Sequence, residues 1–357
     1  MPPAAAEESE GMGSVKDLEV EKEPGRDSLG TGRFAFSDRY SVFDWGEMPD
    51  AIPGKGAAIA ILGAHFFERL EEEGFRTHYR GMVSAGRAVR LSELKKPSDT
   101  MEVSLLRVVR PGEKGQGYDY SQYAKEKGCF LIPLEVIYRN FLPDGSSVFR
   151  RLAAKQLAPG EMGLEEMPAP GQKLKRPFID VSTKLEKTDR YMGWDEAKGI
   201  SGLSSGEAEE IKEATRKISG IITEEYARCG LVNEDGKMEY GYDTERRLTV
   251  VDVLGTLDEC RFTYRGIPVS KEIARIYYRG TEWHKACEEA KTRDHRNWKD
   301  LCSIGPEPLP PRLKNALSNI YCACTNEITQ REWFPGVPAL AESLDEIKKM
   351  LAGKQKK

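Results

Sequence analysis

The chain has no run of about 18 apolar residues, so no stretch of it is long enough to cross a bilayer as a helix, and no membrane partner is expected. It has no surplus of basic charge. The formal net charge is −4, with 54 Lys and Arg against 58 Asp and Glu, so nucleic acid is not an expected partner either. It has no pair of C-x-x-C knuckles. The seven cysteines, Cys129, Cys229, Cys260, Cys287, Cys302, Cys322 and Cys324, are irregularly spaced, which argues against structural zinc and for reduced thiols in a cytoplasmic protein. Residues 1–13 lack the basic start and apolar centre of a signal peptide. They are rich in Ala, Pro and Glu, and a disordered tail is expected over residues 1–14.

What is present suits a large folded enzyme. The 357 residues are 39% hydrophobic and 31% charged, enough for one large fold or two intimate lobes. Residues 15–43 are β-rich, and Arg33-Phe-Ala-Phe alternates at period two. Ile59, Leu62, Phe66 and Leu70 have helical spacing, with Gly74 as a stop. Strands are expected over Val103–Val109 and Phe130–Phe141, separated by a polar insertion at 111–127. Residues 153–177 read as loop and short helix. Ile211, Ala214, Ile218, Ile222 and Tyr226 make one stripe of a helix over 205–229. A hairpin is expected from Lys237–Tyr242 and Leu248–Leu254, then C-terminal helices, one through Leu313, Leu317, Ile320, Cys324 and Ile328. The last is expected to start at the capping box Ser343-Leu-Asp-Glu346. Strands early and helices late define an α+β chain, not a doubly wound sheet.

Four constellations carry chemistry. In Asp235-Gly-Lys237-Met-Glu239-Tyr-Gly241, a strand would put Asp235, Lys237 and Glu239 on one face, with Lys237 opposite Asp252 and Glu239 diagonal to it. Two carboxylates with a lysine between them suit Mg²⁺ and a nucleotide: hard oxygens hold the metal and the ammonium neutralises phosphate. The same alternation would also suit a solvated face with cross-strand salt bridges. In Val251-Asp252-Val-Leu-Gly-Thr256-Leu-Asp258-Glu-Cys-Arg261, an apolar strand runs into polar groups at its end, a natural site position. Ser37-Asp38-Arg39-Tyr-Ser41-Val-Phe-Asp44 is followed by Ile52-Pro-Gly-Lys55-Gly56, where a helix begins; a helix start favours anions, though an ordinary cap and turn would look the same. Finally, Pro133-Leu-Glu135-Val-Ile-Tyr-Arg139 feeds the turn Gly145-Ser146-Ser147, where arginine, hydroxyls and turn amides can hold a phosphate.

Taken in this order, over roughly residues 15–330, the four resemble the SAICAR synthase family (phosphoribosylaminoimidazole-succinocarboxamide synthase). The chain departs from the family pattern at Val253, where an acidic residue is usual, and at Leu257, where proline is usual. The family's glycine-lysine nucleotide hairpin is reduced to Gly25-Arg26-Asp27, and Asp189 stands near the place of a His-Asp pair. The resemblance implies a two-lobed SAICAR synthase-like fold with a kinase-like or ATP-grasp-like nucleotide site between lobes: a β-rich lobe over 15–132, an α+β lobe over 133–334 and a helical extension over 335–357. It implies ATP and Mg²⁺ as cofactors, and L-aspartate and carboxyaminoimidazole ribotide (CAIR) as substrates. A homo-oligomer is allowed for. Glu239 and Asp252 would hold the metal. Arg26, Glu135, Lys237 and Glu239 would surround ATP, and Lys237, Asp235 and Asp258 would serve the chemistry. Ser37, Asp38, Lys55, Arg139, Ser146, Ser147, Lys184, Asp258, Arg261 and Arg275 would bind substrates. Two other classes compete: a small-molecule kinase on the same scaffold, and a non-catalytic nucleotide-binding protein.

Overall fold

The computed structural model describes residues 15–115, 117–269, 271–294 and 297–354. The tail expected over 1–14 and Ser270 lie outside the described residues. The chain opens with β1 (Lys16–Lys22) and β2 (Gly30–Phe36), then α1 (Lys55–Glu72), β3 (Tyr79–Ser84), β4 (Arg87–Val89) and β5 (Thr100–Leu105). The five strands form an antiparallel sheet in the order β1-β2-β5-β3-β4. In β5, Met101, Val103 and Leu105 alternate inward, as a half-buried strand requires. The strand expected over Val103–Val109 thus starts earlier and ends at Leu105. The short, Gly- and Arg-interrupted β3 and β4 gave no clear alternation in the sequence.

The start of α1 is built from outside the helix. Gly54 is left-handed, with φ 78°, and has no side chain to offer as a cap. Asp38 supplies the acceptors instead: its carboxylate takes the N–H groups of Gly54 at 3.1 Å and Gly56 at 2.9 Å. These are donors a helix leaves unpaired, and negative charge there also meets the positive end of the helix dipole. A Cβ on Gly56 would fall 2.7 Å from the Phe36 carbonyl oxygen, so only glycine lets α1 approach the end of β2 this closely.

A small hairpin of β6 (Gly112–Lys114) and β7 (Gly117–Asp119) occupies the polar insertion. Next come β8 (Phe130–Leu142), α2 (Ser147–Ala153), β9 (Gln172–Thr183), α3 (Trp194–Ser201), α4 (Ser205–Arg228), β10 (Val232–Tyr242), β11 (Leu248–Val251), β12 (Cys260–Tyr264) and β13 (Ile267–Pro268). They give a second antiparallel sheet ordered β13-β12-β10-β8-β9, with β11 also on β10. β9 takes in residues 172–177, which read as loop in the sequence. Ser204 and Glu207 close a reciprocal capping box at the start of α4. The buried stripe of α4, including Ile218 and Tyr226, covers the apolar face of the sheet, where Tyr226 stacks on Phe262 and Thr215 bonds the Tyr240 hydroxyl.

Helices α5 (Glu272–Tyr278), α6 (Glu282–Arg293), α7 (Trp298–Leu301), α8 (Pro311–Ile328) and α9 (Leu340–Lys354) complete the chain. α9 begins before the expected capping box; Ser343 is buried within it, and Glu327 of α8 accepts the Leu340 N–H at 2.7 Å. α8 lies against α1, with Ser318 donating to the Pro53 carbonyl at 2.6 Å. One continuous apolar core includes Ile61 and Met101, Val136 and Tyr138, Ile320, Leu344 and Ile347. A boundary at 132/133 therefore falls inside β8, and the segment after 335 is part of the core. The change of sheet lies between β5 and β8, where bridges Thr77–Val250 and Arg107–Phe130 join the two.

Asp38→Ala removes both acceptors at the start of α1. It is expected to lower unfolding free energy by about 1–2 kcal/mol in a denaturant titration, the range for losing a helix cap. An unchanged midpoint would show that water replaces the carboxylate there without loss.

Candidate functional site

β10 is two-sided. Its register with β8 sets Asp235 beside Arg139, Lys237 beside Ile137 and Glu239 beside Glu135. Met238 and Tyr240 point the other way, into the core under α4. The expected single face of Asp235, Lys237 and Glu239 is thus present, but its partners differ from those read in the sequence. Glu239 lies opposite Val251, and Asp252 stands just beyond the end of β11, outside the ladder. Lys237 reaches Glu135 at 3.1 Å and Glu259 at 3.5 Å. Lys184, at the end of β9, bridges Glu135 at 3.3 Å and Glu239 at 2.6 Å. Asp252 is held in a left-handed conformation, φ 64°, that non-glycine residues rarely adopt. The His78 ring bonds its carbonyl at 2.9 Å, and the Lys16 ammonium pairs with its carboxylate. Burial lowers the His78 pKa to about 4, so the imidazole is neutral at ordinary pH.

These carboxylates are not equivalent. Burial raises the Glu239 pKa to about 7, and the Asp252 charge adds to the rise against the pull of Lys184 and Lys237. Burial also opposes ionisation of Asp252, but Lys16, with Lys184 and Lys237, outweighs it and holds that carboxyl well below the usual range. Lys237 is raised, first by Glu259. Asp189 lies near this group, its pKa raised by burial and Glu135 and lowered by Lys237 and Lys184.

A cleft of about 640 Å³ opens beside these groups, between the two sheets. Leu18, Val20, Phe34, Leu105, Leu106 and Leu131 give it a largely apolar lining, and Glu239 and Asp252 stand among them, with Phe34 beside the Lys16–Asp252 pair. The sequence reading passed over this lining and Lys16. The one available signal was the spacing Lys16, Leu18, Val20, which puts the three on one face of β1. Arg26 is exposed in the β1–β2 turn and is not among the lining residues, which corrects its expected place around the nucleotide.

A second group adjoins the first along the same sheet face. Arg139 donates to Asp180 at 3.0 Å, to Asp235 at 3.3 Å, to Ser146 at 3.4 Å and to Ser147 at 3.2 Å. Arg261 forks onto both oxygens of Asp235, with Nε at 2.7 Å. Asp235 therefore orients two arginines. Arg151, given no role in the sequence reading, holds both oxygens of Asp180, at 2.9 and 2.7 Å. Ser146 is buried and caps α2, whereas Ser147 is half-buried. Arg275 pairs with Glu272, whose charge also reaches Arg261. The remaining expected residues serve structure as well. Ser37 donates to the Val15 carbonyl and Asp38 caps α1. Lys55, 1% exposed, pairs with Asp258 at 2.7 Å, and Tyr321 donates to the same carboxylate at 2.6 Å.

A largely apolar cleft that carries two carboxylates, beside a strand face of paired ions and two oriented arginines, suits a nucleotide-dependent enzyme. The comparisons with known proteins narrow the class. The family model described as SAICAR synthetase matches residues 26–289. A chain from Archaeoglobus fulgidus, provisionally named phosphoribosylaminoimidazole-succinocarboxamide synthase, is 48% identical over 95% of this chain and 100% of its own length. The enzyme of that name from Thermoplasma acidophilum is 33% identical over 90% of this chain and 98% of its own. Among solved structures, a SAICAR synthase from Saccharomyces cerevisiae in complex with SAICAR superposes with a TM-score of 0.61 at 20% identity, covering 91% of this chain and 95% of that one. A SAICAR synthetase in complex with ADP superposes with a TM-score of 0.54 at 22% identity, covering 83% and 99%. The two structures bear on the fold alone. The chain belongs to the SAICAR synthetase family.

The raised pKa of Glu239 gives stability a pH slope. The folded state binds this proton more tightly than the ordinary carboxyl value of 4.5 would allow. Its contribution to stability is thus fully present below about 4.5 and is lost as pH rises through about 7. In metal- and nucleotide-free buffer, Glu239→Gln is expected to gain on the wild type in Tm from pH 5 to pH 8. A Tm difference that stays flat over that range would remove Glu239 as a group carrying its proton near neutrality.

Proposed function

We propose that this chain joins L-aspartate to CAIR, consuming ATP and yielding SAICAR, ADP and phosphate in purine biosynthesis. Membership of the family supports the reaction class. The observation that supports the local assignment is the single face of β10, along which Glu239 at the cleft, Lys237, and Asp235 with Arg139 and Arg261 follow one another.

The chemistry needs such a surface. A carboxylate resists attack by an amine because it is anionic and oxide is a poor leaving group. Transfer of the γ-phosphoryl group to the CAIR carboxylate gives an acyl phosphate and ADP. The aspartate amine then adds to that carbonyl, phosphate departs, and the nitrogen gives up a proton as the amide forms. The apolar lining of the cleft takes the adenine, and Lys237 lies where phosphate charge is stabilised. Arg139, Ser147 and Arg261 hold the ribotide phosphate, with Arg275 beside them. Lys184 meets a carboxylate of aspartate from the end of β9, with Asp189 close by.

Magnesium fits the donor set. Glu239 and Asp252 are hard, buried carboxylates whose mutual repulsion a dication relieves. Among the described residues there is no cluster of three or more protein metal ligands. Mg²⁺ commonly takes one or two carboxylates and completes its shell with phosphates and water. Bound there, the ion would neutralise charge on the triphosphate. The chain is read as cytoplasmic, and a homo-oligomer is compatible with the site.

ATP consumption is expected to require CAIR, and aspartate is expected to outperform glutamate, asparagine and glycine. An extra methylene moves the nitrogen off its line of attack, and a misplacement of about 1 Å can cost roughly 10²-fold. Product mass spectrometry with each amine tests this; phosphorylated product formed without aspartate would favour a small-molecule kinase instead. Separately, Arg261→Lys replaces a two-pronged contact with a point charge. It is expected to raise the apparent KM for CAIR more than that for ATP, and equal losses for both would take Arg261 out of the ribotide pocket.

A further inference from the structure

The polar insertion at 111–127 has no part in the reaction as assigned. Its hairpin nonetheless touches the loop that carries the least explained part of the site. That loop runs from Lys184 to Arg190, between β9 and α3. Lys184 at its root bridges Glu135 and Glu239, and Asp189 at its far end lies near Lys184 and Lys237. Its base is closed by Thr183, whose N–H reaches the Arg190 carbonyl at 3.0 Å and whose hydroxyl accepts the Arg190 N–H at 3.1 Å.

The hairpin holds the outer side of this loop. The Tyr118 hydroxyl accepts the Lys187 N–H at 3.0 Å. The Tyr120 hydroxyl donates to Glu186 at 3.2 Å. Glu186 in turn takes both Nε and a terminal nitrogen of Arg190, at 3.2 and 3.0 Å, and Arg190 extends to Glu196 on α3 at 2.5 Å. A cavity of about 620 Å³, lined in part by Glu113, Tyr118, Asp189 and Ile200, lies between hairpin and loop. The two are therefore not packed along their length, and directional hydroxyl contacts do the fixing. An exposed pair, Lys187 with Glu113 at 3.1 Å, is screened by solvent and adds little to them.

We infer that the β6–β7 hairpin positions the Lys184–Arg190 loop, and that Tyr118 and Tyr120 thereby set affinity and selectivity for the amine substrate. This rests on the assignment of Lys184 and its neighbours to the aspartate side. A dicarboxylate amine needs its surroundings fixed, and a loop tethered at its base alone would hold Lys184 but let Asp189 drift. Tyr118 and Tyr120 are positioning residues: each touches the loop, and the loop touches substrate.

The test uses the full-length enzyme with Tyr118→Phe, Tyr120→Phe and the double variant, assayed with each substrate varied in turn. Each single change removes one hydrogen bond and is expected to raise the KM for aspartate about 3–10-fold, with ATP and CAIR constants and kcat at saturating aspartate within about twofold of wild type. The double variant is expected to exceed either single and to narrow the preference for aspartate over glutamate. Glu113→Gln breaks an exposed ion pair and is expected to leave every constant unchanged. An unchanged KM for aspartate in the double variant overturns the inference. So does an equal rise for all three substrates with a fall in Tm, which would mark a purely structural role. Wild-type turnover without aspartate would sink the assigned reaction and this inference with it, whereas an aspartate-dependent wild type with unaffected variants sinks the inference alone.

Discussion

The site depends on the pairing of charges across one face of β10. A strand in the middle of a sheet can bury Asp235, Lys237 and Glu239 only if its neighbours answer each charge, because an uncompensated ion away from water is very costly. β8 supplies Glu135 and Arg139, the end of β9 supplies Lys184, and β12 supplies Arg261. The compensation is deliberately shared. Lys184 serves two carboxylates and Asp235 serves two arginines, whereas every nitrogen of Arg139 is already paired within the protein. On the opposite face the same strand carries Met238 and Tyr240 into the core, which fixes the register: a slip of one residue would turn the charges inward.

Periodic signals were legible in the sequence. The stripes of α1, α4 and α8, the same-face charges of β10 and the Arg139-to-Ser147 segment follow from local spacing, and local spacing is what folding preserves. Signals spread over distant segments were not. Asp252 meets Lys16 across more than 200 residues of chain, and no pattern near either residue announces it. The same holds for Asp180, an ordinary acidic residue in a segment read partly as loop, and for Asp38, whose motif suggested a ligand contact while its oxygens close a helix. Arg26 was misplaced because glycine-rich punctuation looks alike in a phosphate loop and in a plain β-turn.

Departures from the family pattern also gain physical sense. Val253, where an acidic residue is usual, is buried, with a methyl lying 2.6 Å from where a Cβ on Gly63 of α1 would sit. An apolar side chain there packs the helix onto the second sheet, and it leaves Asp252 and Glu239 as the carboxylates facing the cleft. Leu257, where proline is usual, is likewise fully buried. Val253 trades a polar group for packing beside the site without emptying the site itself.

The core that the two sheets share has a consequence for how a nucleotide enters. Proteins whose two halves each own a core can swing apart like jaws. Here α8 grips α1 while α9 grips α8, and bridges at Thr77 and Arg107 stitch sheet to sheet. Opening the halves would tear apolar surface from every one of these seams. The two halves are thus seamed into one stiff frame around the cleft, and the nucleotide meets its site without a hinge between them.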